Sequence, residues 1–450
     1  MTGLPAGNSP LIAWYGDDFT GSASVMEVLE FGGIPSVLFL QPPSADLLAR
    51  FPGRRAIGIA GDARSRSPDW MTQHLPPIYA ALRDTGARIL HYKLCSTFDS
   101  SPEVGSIGRA AELGIDDWTP LVVASPRIGR YQAFGTLFAV ASGTVVRLDR
   151  HPTMSVHPVT PMDEADVRRH LARQTDLPVG LVDLRALAAG QGAAALAAER
   201  AAGRRIIAFD VLDDVTLAAT GKVLWEEALK APLFALGSQG LEDALLAHWV
   251  ACGHVPPAAP VARRVSQIAV VSGSCSPDTA RQIAAAQAQG FAALRIDAAC
   301  AVAPGLWQAE CNRARDAALS ALSQGQSAIV FTAAGPDDPS LAAVAEAASR
   351  AGRSLGAVNE TIGTGLGQLL AQLATQARLP RVVIAGGDTS SRATQGLGLV
   401  ALTAKATVAP AVPLLLGHAQ DPTAPPLELV LKGGQMGATD LFVTIRDGTA

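Results

Sequence analysis

Five cysteines are spread over 450 residues, and no two are spaced C-x-x-C. This argues against a disulfide framework or a cysteine-rich zinc module. The eight histidines include no H-E-x-x-H. His151 and His157 share a proline-rich loop without an evident third ligand, so hydrogen bonding is the expected reason for its order. Positive charge is not in excess: 36 Lys and Arg stand against 40 Asp and Glu, a net charge of −4. The arginines are scattered, which argues against a nucleic-acid surface. No apolar run reaches the length of a membrane span. The opening MTGLPAGNSP lacks the charged and apolar regions of a signal peptide. The expectation is a cytoplasmic protein with neither a nucleic-acid nor a membrane partner. A homo-oligomer is compatible with the composition.

What is present is small and apolar: 48% of residues are hydrophobic and 43 are glycine. Such a composition suits helices packed closely on sheets. Apolar runs at 11–15, 36–40, 56–60, 88–92, 120–124, 179–183, 205–209, 233–236, 268–272, 328–332, 381–385 and 428–432 read as strands. Ala-rich segments with a period near 3.6, such as 191–203, 279–289, 341–351 and 364–377, read as helices. The alternation predicts an α/β protein of two domains, each a mostly parallel sheet flanked by helices. The Pro-rich stretch 251–264 marks the boundary, giving domains 1–255 and 262–450.

The most informative segment is 12–29, IAWYGDDFTGSASVMEVL. It reads as strand, tight loop and helix, with Ser24 and Glu27 at capping-box spacing. In open α/β sheets, ligand chemistry sits at the carboxyl ends of strands. Adjacent carboxylates there, Asp17 and Asp18, raise each other's pKa and point to a base, a metal ligand or an acceptor for sugar hydroxyls. The bland alternative is that one of them merely caps the helix. Two further strand ends carry polar groups. One is Gly61-Asp62-Ala63-Arg64-Ser65-Arg66, and the other runs from His91 through Lys93, Cys95, Ser96, Thr97 and Asp99 to Ser100. A cation, hydroxyls and a carboxylate within one short stretch suit a polyhydroxy acid. The segment 125–138 adds Arg127 and Arg130.

The second half holds three Gly/Ser-rich strand ends: Ser272-Gly273-Ser274, Gly386-Gly387-Asp388-Thr389-Ser390, and Lys432-Gly433-Gly434-Gln435-Met436-Gly437. None is a Walker A or G-x-G-x-x-G loop. Small residues nevertheless let backbone N–H groups approach an anion at a helix N-terminus, and three such loops suit a nucleotide phosphate site.

In this order the segments resemble the motifs of the four-carbon acid sugar kinase family. Its Asp-Asp-x-Thr-Gly resembles Asp17 to Gly21, its Ser-Arg resembles Ser65-Arg66, and its Pro-x-x-Gly-Arg resembles Pro126 to Arg130. Its carboxyl-terminal motifs resemble Gly273-Ser274, Gly386 to Ser390 and Lys432 to Gly437. One segment departs: the family follows its lysine with Asp-Ser-Thr-x-Arg-Gly. Here Cys95 stands in the Asp position and Asp99 in the Arg position, altering the local charge by about two units. The resemblance implies a substrate domain, then an ATP domain, with catalysis in a cleft between them.

The resulting expectation is an ATP-dependent kinase of a small sugar acid. Asp17 or Asp18 would accept the proton from the attacking hydroxyl, with Asp18 favoured because it lies nearer the helix N-terminus. Asp17, Arg66, Lys93, Ser96, Thr97 and Asp99 would bind the acid. Ser274, Gly386, Gly387, Asp388, Thr389, Gly434 and Gly437 would bind the nucleotide. Mg²⁺ would bridge phosphate oxygens, with no metal site built from side chains. Rivals are a non-catalytic sugar-acid sensor and, less well supported, an aspartyl phosphatase. The latter needs its carboxylates two residues apart.

Overall fold

In a computed structural model, residues 3–5, 7, 9–141, 143–157 and 159–449 are described. The side chain of Asp388 lies outside the described set. Chain contacts divide the protein into an amino-terminal unit, Met1–Ala258, and a carboxyl-terminal unit, Ala259–Ala450. No helix among the described residues is long and apolar enough to cross a membrane.

The amino-terminal unit contains β1 (Ile12–Gly16), β2 (Ser36–Phe39), β3 (Ala56–Ala60), β4 (Ile89–Lys93), β5 (Thr119–Val122), β6 (Arg130–Ala133), β7 (Thr136–Ala141), β8 (Thr144–Arg147), β9 (Val179–Val182), β10 (Ile206–Phe209) and β11 (Leu233–Gly237). Eight of them form a parallel sheet in the order β2-β3-β1-β4-β11-β5-β10-β9. Every residue of β1 is buried, as expected of a central parallel strand covered on both faces. Gly58 makes room for its bulkiest member: a Cβ there would sit 2.2 Å from the Trp14 ring. Strands β6, β7 and β8 form a separate antiparallel ribbon. The buried carboxylate of Asp210, just past β10, ties that ribbon down by accepting from the Phe134 and Gly135 amides (2.6 and 2.9 Å).

The carboxyl-terminal unit contains β12 (Ala269–Ser272), β13 (Ala292–Arg295), β14 (Ala328–Phe331), β15 (Arg381–Ala385), β16 (Leu399–Ala409), β17 (Val412–Ala419) and β18 (Leu427–Lys432). Their order is β13-β14-β12-β15-β18-β17-β16. The first five are parallel and the last two antiparallel.

All twelve predicted strands exist within two residues of their expected bounds. Six others escaped the reading. The ribbon strands are short and end in tight turns. β13 is half-exposed and continues an Ala-rich helical pattern. β16 and β17 are antiparallel and mix polar with apolar residues. The capping box was misplaced. Ser24 and Glu27 lie inside the helix Phe19–Phe31, and Ser24 Oγ donates to the Thr20 carbonyl (3.0 Å). The cap is Asp18.

Candidate active site

In the amino-terminal unit, β1 lies between β3 and β4, so Gly16, Ala60 and Lys93 end in register. The loop after β1 is fixed by its own backbone. The Asp17 amide donates to the Lys93 carbonyl (2.9 Å), and its carbonyl accepts from the Arg64 amide (3.1 Å). Asp18 is the N-cap of the helix Phe19–Phe31, its Oδ1 accepting from the Gly21 amide (3.1 Å). The same carboxylate receives Lys93 Nζ (2.8 Å) and the Thr20 hydroxyl, with Arg64 3.4 Å away. Asp17 differs sharply. It is 2% exposed, its Oδ1 has no hydrogen-bond partner, and Lys93 Nζ stands 3.9 Å off.

These surroundings split the pair. Burial raises the Asp17 carboxyl; Lys93 opposes this and the neighbouring Asp18 charge adds to it, leaving it at about 7. Burial acts on Asp18 too. There the charges of Lys93 and Arg64 outweigh it, helped by hydrogen bonds from Lys93 and Thr20, and hold the group well below the usual carboxylate range. Burial works against the Lys93 ammonium, but the two aspartates outweigh it and raise its pKa. A carboxylate that caps a helix and carries an ion pair has little basicity left, so the geometry goes against Asp18 as base. The glycine of the motif has a clear purpose. A Cβ on Gly21 would fall 1.4 Å from Lys93 Nζ, so only glycine lets the lysine reach Asp18.

The other expected substrate residues lie in different settings. Arg66 is held by Asp62 through Nε (3.0 Å) and Nη2, and its guanidinium lies 5.3 Å from the Trp70 ring centroid. On the segment after β4, Cys95 Sγ lies 3.0 Å from the Thr97 hydroxyl, which donates to Asp99 Oδ1 (2.6 Å). Burial pushes the Cys95 thiol up to about 11, with Asp99 adding to it. Phe98 takes a left-handed backbone (φ 58°) and is buried, anchoring the loop. Ser96 is buried, and its hydroxyl has no partner among the described residues. Arg64 was missed as a partner of Asp18, although it lies in the segment that supplied Arg66. Arg127 pairs with Asp243 (2.9 Å) and Glu27 (3.4 Å). His151 Nδ1 accepts from the Thr153 and Met154 amides, and His157 Nδ1 from that of Thr160. No cluster of three or more metal-ligating side chains occurs among the described residues.

In the carboxyl-terminal unit, β12, β15 and β18 are adjacent and parallel, and Ser272, Ala385 and Lys432 end in register. Their three loops therefore emerge side by side. The Gly273 amide donates to Ala385 (3.1 Å), and the Gly386 amide to Lys432 (2.8 Å). Gly386 has φ +117°, and its Cβ would approach the Ser274 amide to 3.3 Å. It opens the helix Gly387–Gln395, whose first amides, at Gly387, Asp388 and Thr389, carry the partial positive charge that suits phosphate. The Ser274 hydroxyl accepts from the Ser276 amide (3.2 Å) and meets the Thr279 hydroxyl (3.0 Å). A Cβ on Gly434 would lie 3.2 Å from Ser274 Oγ. Gly437 has a left-handed backbone (φ +83°), and a Cβ there would meet Leu441 at 2.6 Å. Lys432 is buried, and Nζ donates to Thr279 Oγ1 (2.6 Å) and the Gly434 carbonyl (2.8 Å). No carboxylate among the described residues bonds to it, and burial, only partly opposed by Asp278, lowers Lys432 to about 7.

The sugar-binding N-terminal domain family model matches residues 12–245, and the nucleotide-binding C-terminal domain model matches residues 269–442. The 3-oxo-isoapionate kinase of Paraburkholderia graminis is 46% identical, over 99% of this chain and 96% of that protein. The 3-oxo-tetronate kinase of Cupriavidus necator is 32% identical over 98% of each. A solved Salmonella typhimurium LT2 protein superposes with TM-score 0.74 at 25% identity, covering 96% of this chain and 98% of that one. Fold, loops and relatives together define a two-domain sugar-acid kinase. The chain belongs to the four-carbon acid sugar kinase family.

Proposed function

We propose that the amino-terminal unit binds an oxo sugar acid, that the carboxyl-terminal unit binds ATP, and that Asp17 is the general base. The observation that carries this reading is the division of the aspartate pair. Asp18 is spent on Gly21, Thr20 and Lys93, while Asp17 Oδ1 is buried and free of hydrogen bonds. A carboxyl at about 7 is well matched to accepting a proton at neutral pH. In the reaction, a substrate hydroxyl oxygen bonds to the γ-phosphorus, the bond to the β–γ bridging oxygen breaks, and the hydroxyl proton passes to Asp17. Lys93 and Asp18 hold Asp17's surroundings fixed, and Ser96 and Thr97 offer hydroxyls to the acid.

Amides of Gly387, Asp388 and Thr389, together with the Gly386 and Gly434 loops, fit the phosphates, because glycine lets the backbone approach closely. With no cluster of metal-ligating side chains among the described residues, Mg²⁺ would bind phosphate oxygens and neutralise their charge. ATP as donor also favours the cytoplasm as its compartment. The 46% identical relative makes 3-oxo-isoapionate the first substrate to test, and 3-oxo-tetronate the second. An ADP-release assay with Mg-ATP over these two acids, threonate and erythronate tests the reading. Turnover of an oxo acid in the ordinary range, roughly 10⁴ M⁻¹s⁻¹ or above in kcat/KM, supports it. Absence of ADP release with all four overturns it.

A further inference from the structure

We propose that Arg130 binds the carboxylate of the sugar acid and so sets the enzyme's preference for an acid over a neutral sugar. The inference rests on the amino-terminal unit being the sugar-acid site.

Arg130 opens β6, directly after Gly129, whose backbone is left-handed (φ 69°). The side chain is only 4% exposed. Nη1 donates to the carbonyls of Ile128 and Gly129 (3.2 and 3.3 Å). Nε is buried and has no partner. Among the described residues, Nη2 makes no hydrogen bond and no carboxylate pairs with the guanidinium. Its edge formed by Nε and Nη2 is thus unused, and that edge can take a carboxylate through two parallel hydrogen bonds.

Four other cations on the strand-end loops of this unit are occupied. Lys93 and Arg64 serve Asp18, Arg127 serves Asp243 and Glu27, and Arg66 serves Asp62. Leaving a guanidinium buried without a counter-ion is costly, and an arriving anion removes that cost. The carboxylate whose charge acts on Arg130 is Asp99, on the segment expected to bind substrate. Asp99 is held by Thr97 and forms no ion pair with Arg130.

The experiment compares wild type, Arg130→Gln and Arg130→Lys with 3-oxo-tetronate or 3-oxo-isoapionate, whichever is turned over, and with its neutral amide. Arg130→Gln should raise KM for the acid about 10–150-fold, the worth of a hydrogen bond to a charged group. KM for ATP should stay within about twofold, and the preference for acid over amide should collapse. Arg130→Lys should recover part of that preference. If Arg130→Gln fails to fold, Arg130→Lys is read alone, and a several-fold rise in KM for the acid but not the amide is expected. Acid and amide losing equally would show that the guanidinium only staples the Gly129 turn, and would overturn the proposal. So would an unchanged KM for the acid. A crystal structure of wild type with the acid gives an independent reading, and a carboxylate seated away from Nε also overturns it. A wild type inactive on every sugar acid defeats the functional reading itself, and this inference with it.

Discussion

Replacing Asp17 by asparagine should make the enzyme more stable and nearly inactive. In the folded protein the Asp17 carboxyl titrates at about 7 instead of its ordinary 3.8. Between those values the folded state keeps a proton that the unfolded chain has released. Burying Asp17 therefore costs nothing below about pH 4, and stability falls as pH rises toward 7. Three units of difference correspond to a cost on the order of 4 kcal/mol near pH 8. Asparagine cannot ionise, so the variant should match wild type near pH 3 and exceed it by up to that amount near pH 8. Activity should move the other way, with kcat falling about 10²–10⁴-fold, the worth of a positioned base.

Wild-type kcat/KM should climb with pH through a limb near 7 that the variant lacks. Denaturant melts at the two pH values and pH profiles of kcat/KM check both halves. Asp18→Asn is the informative contrast. It strands Lys93 without its main partner, at about 3–5 kcal/mol. It also leaves the lysine to Asp17 alone, which lowers the Asp17 pKa and shifts the limb to lower pH. If Asp17→Asn keeps kcat within about threefold, or wild-type kcat/KM is flat across neutral pH, Asp17 is not the base.

Three other outcomes are expected. Gly21→Ala places a methyl where Lys93 Nζ now sits, so the Lys93–Asp18 pair must break; thermal melts should show destabilisation, and kcat should fall by about 10²-fold or more. Gly434→Val forces the third loop away from Ser274 and Ser276; calorimetry should show ATP affinity reduced at least about tenfold with binding of the acid unchanged, and unaltered ATP affinity would count against this loop. Lys432 titrates at about 7, so an anionic phosphate nearby should raise it; nucleotide binding near pH 8 should take up a proton, seen as a dependence of calorimetric heat on buffer ionisation enthalpy that Lys432→Met abolishes.

The chain order of apolar runs and glycine-rich breaks determined the α/β class, the twelve strands and the polar loops at their ends. Those features are local: a buried parallel strand must be apolar along its length, and a close backbone approach needs glycine. Strands such as β13 and β16 escaped because edge and antiparallel strands are half-exposed and lose that signature. The roles within the loops were decided elsewhere. Asp17 and Asp18 are neighbours of identical chemistry, and only the arrival of Lys93 and Arg64 from other strand ends makes one an ion-paired cap and leaves the other buried without a hydrogen bond at Oδ1. Arg66 pairs with its own loop, whereas Arg130, which closes the Pro-x-x-Gly-Arg segment, has no carboxylate partner among the described residues. Pairing and burial depend on distances between segments far apart in the chain, and those distances exist only once the sheet has brought the strand ends together.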